Sequence, residues 1–373
     1  MRLAIIGCGT IAQVMHLPYA VEVPEVELGA LVDPDGRRRR TLADRYNVPA
    51  TFETVDDLLA ADDVEVDAVV VLTPPHTHVD AVVPALEAGL DVLVEKPLAV
   101  SPGDADRLVE AAEAAGGTAM VAYMKRYDAA YERLQESLDE LDEPIDLITA
   151  YDVDPNHGRV LEEVYDLVGT DLSEEFIAES SRARHAEAVA AVGGEDGDAD
   201  RDVDVDEFAD DYDWHLEHIC HDVNALRGLF GDVDRIDHVD VYADGRYATA
   251  HLIYEGARRC VLDSGLSDRK WFEEWLRIDA PDRTLELDFS NPFVRNTPTT
   301  LRVAKGREEI EDTTYTPSYD EPFKRELEQF VRCVEEDAPV RTTFAEARDD
   351  VVLIADLFRA YRGVPLRGTY DGG

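Results

Sequence analysis

Five short apolar runs constrain what the first 122 residues can become. They are LAIIG (3–7), VELGALV (26–32), DAVVVL (67–72), DVLV (91–94) and TAMVAY (118–123). None alternates with polar residues, as strands buried on both faces do not. Helical patterns lie between them: residues 11–22, RRRRTLADRY (37–46), VDAVVPALEAGL (79–90) and SPGDADRLVEAAEAAGG (101–117). The last has a serine start and a glycine stop, and Pro84 should kink the one before it. Strands separated by helices predict right-handed crossovers and a parallel sheet.

Beyond residue 123 the texture changes. A helix is expected over 127–141. Strand patterns follow at 145–153, 235–243, 247–255, 258–266 and 284–289, with two helices at 322–337 and 344–363. Strands in succession without helices between them imply an antiparallel or mixed sheet. The fold class is therefore α/β: an N-terminal parallel sheet over 1–122, then an α+β domain over 123–373 with a mostly antiparallel open sheet. Residues 195–213 carry 11 acidic residues and one arginine. A solvated, mobile loop is expected there, since the spacing of a calcium loop is absent.

With 373 residues, 45% of them hydrophobic, the chain can bury two cores. Its net charge of −46 repels nucleic acid and anionic membrane surfaces. The excess is spread along the chain, and 5 lysines stand against 31 arginines. This is a haloarchaeal-type composition, suited to molar salt that screens self-repulsion within a few ångströms. A halophilic cytoplasmic protein is expected, without a secretory signal or transmembrane helix. Cys8, Cys220, Cys260 and Cys333 have no close spacing, so neither a disulfide framework nor a zinc motif is expected.

GCGTIA (7–12) follows the first strand directly and opens a helix, the context that a dinucleotide fingerprint requires. Gly7 permits the tight turn, and Gly9 lets a pyrophosphate approach the backbone. Thr10 and Ile11 lead to Ala12, which stands for the third glycine and allows close helix–strand packing. Free N–H groups at the helix start suit phosphates. Asp33, at the end of the second strand, is placed to accept from a ribose diol. That favours NAD; Arg37 and Arg38 nearby keep NADP open.

Ligands of open α/β sheets gather at the carboxyl ends of the strands. TPPHTH (73–78) and EKP (95–97) both follow strands and fall on that edge with the glycine loop. GCGTIA, TPPHTHVDAVVPALEAGLDVLVEKPLA (73–99) and YMKRYDAAY (123–131) together resemble the Gfo/Idh/MocA family, that of glucose–fructose oxidoreductase and inositol dehydrogenase. The resemblance is specific over the first third of the chain and implies an N-terminal Rossmann domain. It also implies a second domain whose open sheet often forms an oligomer interface, here a dimer or tetramer. It gives Lys96 a role at the substrate hydroxyl, puts Glu95 on the nicotinamide-ribose side and sets Arg126 near the nicotinamide. Thr73, Pro74, His76 and His78 form the loop over the cofactor; loop packing or ribose contact suits the histidines better than zinc. Independently, lysine can be tuned for acid–base work and arginine cannot. Lys96 is retained in a chain that has exchanged most lysine for arginine, and Lys125 is a second such case.

WHLEHICHDVNALRGLFG (214–231) resembles the family's helix with the pattern Asp-x-Gly-x-His-x-x-Asp. Glu217, Ile219, His221 and Asn224 fall at those positions, so only His221 is kept, and Asp222 follows it. Glu217 and His221 share a helix face, where a carboxylate can hold the imidazole in one tautomer. Two of His215, His218 and His221 with Glu217 could also bind a metal; none is expected. The expected function is an NAD(P)-dependent oxidoreductase acting on a sugar, sugar-acid or cyclitol hydroxyl, with Lys96, His221 and Glu217 as catalytic residues. The alternatives are an NAD-assisted lyase or isomerase without net redox change, and a catalytically silent dinucleotide sensor.

Overall fold

The computed structural model describes residues 1–155, 161, 163–193 and 204–370. The chain divides into two compact units: Met1–Tyr123 with Glu162–Ala191 and Phe323–Val351, and Met124–Leu161 with Val192–Pro322 and Val352–Gly373. The sequence reading places all of 123–373 in the second unit, yet two later stretches return to the first. One reason is local. The last strand of the first sheet has an open edge, and Thr342 and Thr343 close part of it. Val121 N–H donates to the Thr342 carbonyl (2.9 Å), and the Thr342 hydroxyl donates to the Val121 carbonyl (2.7 Å).

The first unit is built on β1 (Arg2–Ile6), β2 (Glu27–Val32), β3 (Ala50–Phe52), β4 (Ala68–Val71), β5 (Asp91–Glu95) and β6 (Ala119–Ala122). All neighbours are parallel, in the order β3-β2-β1-β4-β5-β6. The chain order reverses between β1 and β4, which opens a crevice at their carboxyl ends. Every residue of β4 is buried, as its unbroken apolar run predicts. The segment 11–22 is a π-turn over Ala12–His16 continuing into α1 (Leu17–Ala20). Asp35 caps α2 (Gly36–Tyr46) by accepting from the Arg37 and Arg38 N–H groups. Short α3 (Val55–Leu59) follows β3. Then α4 (His78–Glu87) runs through Pro84. Ser101 caps α5 (Pro102–Ala115), which ends on left-handed Gly116.

The second unit begins with α6 (Ala129–Asp139) and holds an eight-stranded sheet. Its strands are β7 (Leu147–Pro155), β8 (Val233–Tyr242), β9 (Tyr247–Tyr254), β10 (Arg258–Ser267), β11 (Glu273–Ala280), β12 (Arg283–Asp288), β13 (Thr300–Lys305) and β14 (Glu311–Tyr315). The order is β14-β13-β12-β11-β7-β10-β9-β8. Only β7 and β10 pair in parallel.

Four further helices are α7 (Glu174–Val192), α8 (Val205–Phe230), α9 (Pro322–Glu336) and α10 (Phe344–Arg362). Part of the acidic stretch 195–213 corrects the expectation of a loop; residues 195–203 lie outside the described residues. Asp204 accepts from Asp206 N–H as the cap of α8, and Asp206 and Glu207 fill its first turn. Acidic side chains are favourable at that end of a helix. Phe208, Tyr212, Leu216, Ile219 and Val223 form a buried stripe down the same helix. Each contributes about 1.5–3 kcal/mol by burial, which outweighs the repulsion among screened surface charges.

Candidate functional site

The glycine loop joins β1 to the helical turn at Ala12. Gly7 has φ +94°, and a Cβ there would lie 2.8 Å from the Leu72 carbonyl carbon and oxygen. Any side chain would push the loop off β4. Gly9 differs: a Cβ would meet nothing within 4 Å. That gap beside a helix start is the space a pyrophosphate needs. Thr10 is exposed, Ile11 half-buried and Ala12 fully buried.

Asp33 lies where expected, at the end of β2, but its carboxylate is largely buried. Oδ2 accepts from Cys8 N–H at 2.7 Å and Oδ1 from Asp35 N–H at 2.8 Å. Each oxygen keeps a second lone pair for a ribose hydroxyl. Arg38 Nη1 stands 3.8 Å away. Burial pushes the Asp33 carboxyl above its ordinary value, against those two hydrogen bonds.

At the end of β4, Thr73 Oγ1 and His76 Nδ1 are buried and make no hydrogen bond among the described residues. His76 Nε2 lies 2.9 Å from Ser180 Oγ, and burial lowers its pKa. His78 is fully buried, with ring nitrogens 3.0 Å from the Leu98 carbonyl and 2.9 Å from the Thr73 carbonyl. It ties two loops of the carboxyl edge together, and Pro74 precedes the turn Pro75–Thr77. At the end of β5, Glu95 is buried with Oε1 2.8 Å from His16 Nε2, while Oε2 accepts from Lys96 N–H at 2.9 Å. Glu326 of α9 is fully buried near Glu95; burial, then the Glu95 charge, raises its carboxyl well above the ordinary value. Lys96 itself is half-buried, and its bond to Pro97 is cis.

The second unit holds a constellation that the sequence reading only touches. The Lys125 ammonium lies in a pocket of three buried acids: Asp152 on β7, Asp222 on α8 and Glu274 on β11. Lys125 Nζ pairs with Glu274 and lies 3.5 Å from Asp222, with the Phe289 ring 4.8 Å off. The β7–β11 register puts Glu274 opposite Asp152. Two like charges facing across a ladder are unfavourable, so Lys125 makes the pairing tolerable. Burial first, and Asp152 as well, push the Asp222 carboxyl up to about 7, although Lys125 acts the other way. Sequence patterns single out Lys125 and Asp222 but neither Asp152 nor Glu274. Only the strand register, invisible in periodicity, unites them.

The other histidines of α8 are engaged. His215 bridges Ser264 Oγ (3.0 Å) and the Gly245 carbonyl (2.9 Å), and burial lowers its pKa to about 4. His218 Nε2 pairs with Asp154 at 2.7 Å and its ring stacks on Trp214. Burial opposes charge on His218, but Asp154 outweighs it and raises the pKa. Glu217 and His221 are half-buried on one face of α8. Arg126 donates to the Asn224 carbonyl and side chain, each at 3.2 Å. It lies across Gly228, where a Cβ would collide with the guanidinium. Asn224 thus serves as an anchor, and Ile219 is core.

The glycine loop, the acid closing β2 and the reversal of strand order at β1 and β4 meet on one edge of the sheet. Residues 1–123 match the Gfo/Idh/MocA group, described as an oxidoreductase family with an NAD-binding Rossmann fold. This stretch belongs to that family. Rhizopine catabolism protein MocA of Rhizobium meliloti is 34% identical over 137 residues, 37% of this chain and 42% of that protein. Inositol 2-dehydrogenase 3 of Saccharopolyspora erythraea is 36% identical over 140 residues, 37% of this chain and 40% of that protein. The matched stretch thus spans well under half of these relatives. A UDP-N-acetylglucosamine 3-dehydrogenase structure from Acidithiobacillus ferrooxidans superposes over 97% of both chains with a TM-score of 0.68 at 20% identity. The likeness in fold to that structure therefore includes the second unit. Among the described residues, no helix is long and apolar enough to cross a membrane.

Proposed function

We propose that the protein is an NAD(P)-dependent oxidoreductase acting on a hydroxyl of a sugar, sugar acid or cyclitol. The observation that carries this reading is the placement of Lys96 at the end of β5, on the edge that also bears Gly9 and Asp33. The residues fit the cofactor: open space at Gly9 suits a pyrophosphate, Asp33 retains acceptor capacity for a ribose, and Thr73 Oγ1 is an unused buried polar atom. Gly7, Gly9, Thr10, Ile11 and Ala12 would cradle the phosphates, and Asp33 the adenosine ribose. Thr73, Pro74, His76 and His78 form the neighbouring wall. When bound, NAD(P) supplies the hydride acceptor.

The chain supplies proton handling and orientation. Lys96 takes the hydroxyl proton or holds its oxygen, and His221, oriented by Glu217, takes the complementary part. Glu95 fixes the Lys96 backbone through its N–H and is itself held by His16. In this reading the Lys125 cluster is a support beneath α8, and Arg126 sets the adjoining loop through Asn224. The named inositol dehydrogenase among the relatives supports a polyol-type substrate. A homo-oligomer is part of the reading. Tyr151 stacks on Trp275 on a partly exposed sheet face, which suits association between copies; light scattering in molar KCl tests it.

The direct test is calorimetric binding of NAD and NADP in molar KCl, followed by a panel of polyols and aldoses read through the absorbance of reduced nicotinamide. Reduction by any panel member supports the reading. Binding without reduction by any of them refutes it in favour of an internal redox cycle or a sensor. In the active protein, Lys96→Ala lowers kcat by about 10²–10⁴-fold while nucleotide binding persists. Near-native turnover would remove Lys96 from the chemistry.

A further inference from the structure

One stretch of chain, Asp166–Ser180, runs along the carboxyl ends of the first unit's strands and is tied there almost entirely by polar bonds. After β1, Gln13 grips the Val168 backbone at two points. Its Nε2–H donates to the Val168 carbonyl at 3.2 Å, and its Oε1 accepts from Val168 N–H at 2.7 Å. The same Nε2 reaches the Cys8 carbonyl at 3.0 Å, so this tie fastens onto the glycine loop. After β2, Asp35 Oδ2 accepts from the Thr170 hydroxyl at 2.9 Å and from Asp171 N–H at 2.6 Å. Burial alone would raise the Asp35 carboxyl, but bonds from Arg38, Asp171, Thr170 and Arg37 hold it at about 2, so it stays an ionised acceptor. After β4, His76 meets Ser180.

Apolar anchoring is nearly absent. Within this stretch only Val168 is buried, while Phe176 and Ile177 are 47% and 45% exposed. The Arg37–Asp171 and Arg45–Asp166 ion pairs are exposed and contribute little. A segment held by a few hydrogen bonds, with little buried apolar surface, opens at low free-energy cost. Its three ties lie at the glycine loop, at Asp35 two residues beyond Asp33, and at the loop after β4.

Building on the dinucleotide reading above, we propose that Asp166–Ser180 is a strap over the cofactor edge, and that Gln13 and Asp35 are latches whose release gates nucleotide entry and exit. A gate that must open for both directions slows both equally. It therefore changes rates and leaves affinity nearly untouched.

The test is stopped-flow NADH fluorescence on the full chain in molar KCl. Thr170→Val/Asp171→Pro removes both donors to Asp35, and Val168→Pro separately removes the N–H that Gln13 accepts. None of these positions belongs to the site proposed above. In both variants the association and dissociation rates should rise together, each by about tenfold or more, with little change in Kd. Hydrogen exchange at residues 166–173 should be faster in both variants than in the wild type, with and without NADH. Unchanged rates, a weaker Kd with an unchanged association rate, or exchange at 166–173 no faster in the variants than in the wild type would each overturn the strap alone. No binding of NADH or NADPH by the wild type would overturn the dinucleotide reading and the strap with it.

Discussion

Lys125 shows how much can rest on one side chain. The residue is 2% exposed, and its ammonium faces three carboxyl groups that are nearly or fully buried. Lys125→Met leaves those acids without a counter-charge and should cost about 3–5 kcal/mol, read as a lowered urea midpoint with an unchanged slope. Loss of under about 1 kcal/mol would mean that the acids are neutral without it. The same pocket sets a pH dependence. The Asp222 carboxyl titrates at about 7 in the folded chain against 3.8 as its ordinary value, so the folded state binds the extra proton between those values. Stability from this group is full at low pH and declines as pH rises through about 7. His215 contributes the opposite slope. It is lowered from 6.5 to about 4, so the unfolded state binds more protons in that window and stability falls as pH falls. Asp222→Asn should therefore remove the decline toward neutral pH and leave the acid-side loss in place. A stability profile identical to wild type would show that Asp222 is already ionised.

At the level of elements, the two glycines of one loop separate folding from binding. Gly7→Ala requires positive φ and drives a Cβ into the Leu72 backbone. It should lower stability by about 1–3 kcal/mol and abolish nucleotide binding as well. Gly9→Ala meets open space, so Tm should hold while binding of NAD and NADP is lost. Equal Tm losses in the two variants, measured by calorimetry, would contradict this division. The helices divide in a similar way. Ser101, Gly116 and the period of 101–117 make α5 legible, because cap residues and a helical repeat are local signals. Helix α8 is only half legible: its acidic first turns read as loop, although Phe208 and Tyr212 already belong to its buried stripe.

For the whole molecule, the net charge of −46 governs how stability responds to solvent. Self-repulsion favours expanded states and is screened only at high ionic strength. Tm should rise steadily between dilute buffer and molar KCl, and a flat or falling Tm would refute the halophilic reading. The effect should be less marked in charge-neutral osmolyte of matched water activity, since screening requires ions.

The parallel sheet, its glycine loop, Asp33 and the EKP edge were determined by the sequence alone. Each depends on near neighbours: unbroken apolar runs, a turn that only glycine fits, residues that close a strand. Tertiary structure decided what distant residues do together. Asp152 and Glu274 face each other because two strands pair in one register out of several. Glu95 finds His16, and Glu326 joins them under the same edge, through packing between segments far apart in the chain. Phe323–Val351 and Asp166–Ser180 return to the first sheet because an open strand edge and unpaired polar groups there accept them. Local patterns encode elements; which surfaces and polar groups meet is fixed only when the whole chain competes for burial and hydrogen bonds.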